Sequence, residues 1–326
     1  MSAPTMAQPR RSARALADPD AQARRLAEAV DRTWRAGYGH LSHDIPLSVI
    51  AALSLMRHPD QQPTATTPLL GLDPVAMTGL LRQVWTTAGI LRPDLTPRFE
   101  ALAGWLGRDP TTDQQRAAHA VATTALRAGL GDLSADLDQR RAVDLLGLVL
   151  QLLRGPTHTD RGQVYSSSSL ARLLARLVLA DATPGQWICD PTAGTGGMLR
   201  AAAEALCQRG VDPASMGWAG CDVDPLAAGC LAVNAHLWGL GPQVLIGCGD
   251  ILLGDWETTA LAERAEAIRR FRTYRLVATA LALEARPAGR STPPVDRAPH
   301  PAARPTAAAG RRIPRRSPLA QPETLP

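Results

Sequence analysis

The chain has 326 residues, 45% of them apolar and 20% charged, enough for two ordinary domains with a real core. All 35 basic residues are Arg, which together with the Ala, Pro and Gly usage reads as a GC-rich coding sequence. The net charge of +5 comes from one end: residues 285–326 carry eight Arg against two acids, so the rest stands at −1 and charge alone does not argue for a nucleic-acid partner.

Residues 1–18 are Ala/Arg/Pro-rich and are expected to be disordered. Residues 19–155 read as a helical domain, with apolar spacings of three and four and Pro or Gly at the joints. The segments are Ala21–Arg35, Pro46–Met56, Val75–Ile90, Arg98–Leu106, Thr112–Leu130 and Ala135–Leu153, a bundle of five or six helices. The pattern changes at Gly155-Pro156. A helix at Ser168–Leu179 leads to a strand at Trp187–Cys189, a glycine loop and a helix ending at Gln208. A strand near Trp218–Cys221, a helix at Pro225–Leu237 and a strand at Gln243–Gly247 follow, and such alternation implies a parallel sheet. A long helix from Trp256 to about Glu284 closes a domain of residues 156–285. Residues 286–326 are a low-complexity tail, expected to be disordered.

The five cysteines form no CxxC pair and are expected to be reduced and mostly buried, not zinc ligands. His119 and His236 fall on helices and read as packing or surface residues. The longest apolar stretch, Leu145 to Leu153, is too short to span a bilayer, so the expected location is the cytoplasm, with no membrane partner.

The chemistry concentrates in Asp190-Pro191-Thr192-Ala193-Gly194-Thr195-Gly196-Gly197. The dinucleotide fingerprint GxGxxG is incomplete, because its third glycine position is Leu199. Asp190 would repel a phosphate and suits a ligand carrying an ammonium group, such as S-adenosylmethionine (AdoMet). Asp222, in Gly220-Cys221-Asp222-Val223-Asp224-Pro225, ends the second strand, where a carboxylate can accept both hydroxyls of a ribose. Asp250 ends the third, where it can meet the exocyclic amine of an adenine. Any one such acid could be a plain helix cap; three at successive strand ends form a crevice.

These residues resemble the N6-adenine DNA methyltransferases, especially the modification subunit of type I restriction systems. Asp190 to Gly197 is similar to that family's AdoMet loop. Asp222 matches its ribose acid and Asp250 its third-strand acid. Gly162-Gln163-Val164-Tyr165-Ser166-Ser167 resembles a segment that closes over the methionine end of AdoMet, with Ser167 where the family has Pro. The likeness covers residues 160–255 well and 20–155 loosely. It implies a Rossmann-like AdoMet-dependent methyltransferase domain behind the helical one, an α/β fold. It implies AdoMet at Tyr165, Ser166, Asp190, Thr192, Gly194, Thr195, Gly196, Asp222, Val223 and Asp250, and DNA as partner.

The family also carries a D/N/S-P-P-Y/F/W loop after its fourth strand, whose polar groups accept the target amine and whose aromatic stacks on the flipped base. The one Pro-Pro pair here, Pro293-Pro294, has no acid, amide or aromatic beside it. The methyltransferase domain is therefore expected to be incomplete. Two explanations stand: the reading frame shifts after residue 250, or a specificity or complementary catalytic subunit supplies the base pocket. The first strand would then be an open sheet edge. The tail arginines Arg311, Arg312, Arg315 and Arg316 read as a solvated terminus or as an arm on DNA phosphates. The second reading is a non-catalytic AdoMet- or DNA-binding subunit of a modification or restriction complex, and the third another Rossmann-type enzyme, using NAD or methylating a small molecule.

Overall fold

The computed structural model describes residues 18–56, 67–107, 109–155 and 168–284. Tyr165, Ser166, the N-terminal residues 1–17 and the tail from 286 lie outside them.

Nine α-helices make up the helical region among the described residues: α1 (Pro19–Gly37), α2 (Asp44–Leu55), α3 (Thr67–Leu70), α4 (Pro74–Leu91), α5 (Thr96–Ala103), α6 (Thr112–Arg127), α7 (Leu130–Leu133), α8 (Leu137–Ala142) and α9 (Leu145–Arg154). Their starts are written locally. Asp18 and Asp73 cap α1 and α4 ahead of a Pro, whose missing N–H costs nothing there. Thr111 and Gln114 form a reciprocal capping box on α6.

The expected single helix from Ala135 to Leu153 is two helices. The chain leaves helical geometry at Val143 and Asp144, and the Asp144 carboxylate accepts the Gly147 N–H at 2.9 Å to start α9 afresh. Polar capping outcompetes a continuous helix here because Asp favours such local bonds to backbone.

After α10 (Ser168–Val178) come β1 (Trp187–Asp190), α11 (Gly197–Gln208), β2 (Gly217–Asp222), α12 (Pro225–Leu237), β3 (Val244–Cys248) and α13 (Trp256–Glu284). The strands form one parallel sheet in the order β1-β2-β3, with Asp190 beside Gly220 and Asp222 beside Cys248. All strand C-termini therefore share one rim.

Up to Ala278 the described residues form one compact unit, and of Thr279–Pro326 only the end of α13 is described. A single core runs from Leu26, Val30 and Trp34 of α1 through Leu146 and Val149 of α9 to α11, α12 and one face of the sheet. α12 is apolar all round because it is buried all round, between the sheet and the helical region. Its Gly229 lets α5 approach: a Cβ there would stand 3.1 Å from the Arg98 carbonyl oxygen.

The other face of the sheet is thinly covered. Ala219 and Leu245 pack there against Trp256 and Ala260 of α13. β1 is the outer strand on that side: Trp187 is 58% exposed and Cys189 is exposed. α10, which packs on α11, buries Ala171 and Ala175 but exposes Leu170, Leu173, Leu174 and Leu177. No helix among the described residues is long and apolar enough to cross a membrane.

Candidate functional site

Of the predicted residues, Asp190, Thr192, Gly194, Asp222, Val223 and Asp250 lie at the strand-end rim of the sheet. The loop after β1 crosses to β2: the Ala193 N–H bonds the Cys221 carbonyl at 2.8 Å, and the Gly194 N–H bonds Asp222 Oδ2 at 2.8 Å. Asp222 Oδ1 accepts the Asp224 N–H at 2.9 Å. A carboxylate has about four acceptor sites, so Asp222 keeps roughly two for a ligand. The Gly249 N–H bonds the Asp222 carbonyl at 3.0 Å, which brings the third strand end alongside.

Asp190 accepts the Thr192 N–H at 3.2 Å. Burial pushes its carboxyl above the usual carboxylate value, and the nearby Asp222 adds to the rise. The two acids end neighbouring strands, Asp190 on β1 and Asp222 on β2. Asp250 caps a short 3-10 turn through the Leu252 N–H at 2.9 Å. Thr192 and Val223 are exposed at the same rim.

The two loop glycines differ. Gly194 has a φ of +56°, and a Cβ on it would meet nothing within 4 Å, so its backbone borders open space. Gly196 has a φ of +97°, and a Cβ on it would stand 2.6 Å from Leu231 Cδ1 and 3.0 Å from Trp238 Cζ3. Gly194 serves the crevice, and Gly196 lets α11 lie close over α12.

Thr195 turns inward and is 2% exposed. Its hydroxyl donates to Asp144 Oδ2 at 2.6 Å. Asn234 of α12 donates to Asp144 Oδ1 at 2.9 Å and to the Thr195 carbonyl at 2.8 Å. Desolvation holds the Asp144 carboxyl above its ordinary value, opposed by its bonds to Thr195, Gly147 and Asn234 and by the Arg200 charge. Sequence reasoning passed over Asp144 and Asn234. An acid opening an apolar run, three residues before a glycine, was the available signal for the first.

At the far end of α9, Arg154 pairs with Asp224, the cap of α12. Of the five free cysteines, Cys189 and Cys207 are exposed, contrary to the expectation that most are buried; Cys221 and Cys230 are buried. His119 serves packing, with Nε2 at 2.9 Å from the Leu72 carbonyl. A separate cleft of about 370 Å³ near the start of α1 is lined by Asp20, Arg141, Arg172 and Glu204, and the last two pair with each other.

The fold and rim define a class first: a helical region packed on a parallel sheet whose strand ends form an acid-lined crevice. Residues 146–269 match the family model described as N-6 DNA Methylase. Among solved structures, the chain is similar to the methyltransferase subunit of a type I restriction-modification system from Streptococcus thermophilus. The identity is 17% and the TM-score 0.48, over 74% of this chain and 60% of that one. The chain thus spans less than two thirds of that structure's length. No curated protein sequence matches it.

Proposed function

We propose that the rim binds AdoMet and that the chain is the cofactor-binding part of a DNA adenine-N6 methyltransferase. One observation carries this: Asp190 and Asp222 end adjacent strands joined by a glycine loop that bonds Asp222 through Gly194, whose backbone borders open space. The donor set fits the group. Asp190 offers a carboxylate to an ammonium, Asp222 keeps acceptors for a ribose diol, and Asp250 lies at the third strand end for an adenine amine. The same acids oppose a pyrophosphate, which disfavours NAD. AdoMet, when bound, supplies the methyl group; the residues named here hold and orient it. Tyr165 and Ser166 are proposed to close over the methionine end, and Thr192 and Val223 to line the rim. DNA is the proposed methyl acceptor, and the cytoplasm the proposed location.

Titration calorimetry on the full chain tests this. AdoMet should bind and NAD should not. Asp222→Ala should weaken AdoMet binding by about 1–3 kcal/mol, the loss of a charged acceptor. Unchanged affinity in a folded variant overturns the assignment.

A second reading has its own support. The outer edge of β1 is unpaired among the described residues, and α10, packed on α11, exposes a leucine stripe. This favours a subunit that binds AdoMet but transfers methyl only when another polypeptide, a specificity or complementary catalytic subunit, supplies the base pocket. Tritium transfer from labelled AdoMet to adenine-containing DNA, by the chain alone and then with candidate subunits, separates the two. The tail arginines and a shifted reading frame after residue 250 remain proposals of the same kind, tested by retranslating the gene in all three frames.

A further inference from the structure

We propose that Asp144, a residue of the helical region, is a positioning residue for the glycine loop, so that cofactor binding depends on how α9 is docked. The inference rests on the reading of the rim as an AdoMet site.

Three observations converge on it. The carboxylate is buried and spends its bonds on three different pieces of chain: the start of α9 through Gly147, the glycine loop through Thr195, and α12 through Asn234. Asn234 closes the ring by donating its second hydrogen to the Thr195 carbonyl. The Asp144 carboxylate, the Thr195 hydroxyl and the Asn234 amide N–H groups are all engaged, and such buried networks fix one geometry.

Gly147 supplies the second observation. It lies in the first turn of α9, its φ is not positive, and nothing about helix geometry asks for glycine there. Its role is room: a Cβ at this position would run into the Asp144 carboxylate and stand 2.6 Å from the Thr195 hydroxyl. The contact between α9 and the loop exists only because the side chain is absent.

The third is the other end of the same helix. Arg154 pairs with Asp224, whose N–H in turn holds Asp222. α9 thus touches both loops that wall the crevice, one at each end. Thr195 lies between Gly194, whose N–H binds Asp222, and Gly196, whose N–H bonds the Ala193 carbonyl. Anchoring Thr195 inward sets the path on which Gly194 presents its open face.

The test compares Thr195→Ser with Thr195→Ala, which differ by one hydroxyl. Two readouts are taken on the full chain: amide hydrogen exchange at Gly194 and Gly196 without ligand, and AdoMet affinity by calorimetry. The Ala variant should melt cooperatively, exchange at least about tenfold faster at these two amides, and bind AdoMet about tenfold more weakly. The Ser variant should stay within about twofold of the parent on both. Equal exchange in Ser and Ala overturns the positioning role. Loss of the cooperative melt in Ala alone also overturns it, since the hydroxyl would then belong to the fold. A parent chain that binds no AdoMet, with faster exchange in Ala, overturns the cofactor reading and leaves the clamp on the loop standing.

Discussion

Replacing Gly147 by Ala sets helix propensity against packing. In an exposed helix the change stabilises by up to about 1 kcal/mol. In α9 the added methyl collides with the Asp144 carboxylate and with Thr195 Oγ1. If the carboxylate turns away, the buried Thr195 hydroxyl loses its partner, a cost of about 1.5–3 kcal/mol for a charged bond. The cap on Gly147 goes with it, at about 1 kcal/mol more. Less the propensity gain, Gly147→Ala should destabilise by about 1.5–3 kcal/mol, read as a lower urea midpoint at unchanged slope. The control is the same change in an Asp144→Ala/Thr195→Ala background, where both obstacles are gone and the substitution should be neutral or stabilising. A raised midpoint in the parent background would refute the reasoning outright.

Other expectations follow from the same geometry. Gly196→Ala should cost about 2–4 kcal/mol, because left-handed strain adds to the collision with Leu231 and Trp238, whereas Gly194→Ala should show only the strain of about 1–2 kcal/mol; thermal melts distinguish them. AdoMet affinity should be full above the raised titration range of Asp190 and fall as the pH drops through it, since only the carboxylate accepts an ammonium. The free protein should run the other way: a carboxyl whose pKa is raised by folding adds stability as pH falls toward its ordinary value of 3.8, so calorimetry and melting should show opposite slopes. Arg154→Ala leaves Asp224 without this partner in a largely buried position and should destabilise by about 3 kcal/mol in urea.

The helices and strands were legible because their apolar periods are local. The long helix from Trp256 to Glu284 and the strand-end acids Asp190, Asp222 and Asp250 lie where the pattern put them. The break at Asp144 was hidden by a stronger signal, the apolar run that follows it. Its partners Thr195 and Asn234 are 51 and 90 residues away, beyond any window of periodicity. The glycine motif likewise marked Gly194 and Gly196 alike, and only their neighbours in space divide one from the other. Thr195 looked like a ligand contact because it lies inside the glycine motif, whereas its own hydroxyl faces the core.

The open β1 edge carries its own optical probe. The chain has seven tryptophans; Trp34, Trp85, Trp105, Trp218 and Trp238 are buried, and Trp256 is partly covered by the sheet. Trp187 alone stands well out in water. Acrylamide should therefore quench the emission of Trp187 preferentially, and any strand that added itself along this edge would shield it and move the emission to the blue. Binding at the rim and pairing at the edge could then be followed in one cuvette without a label.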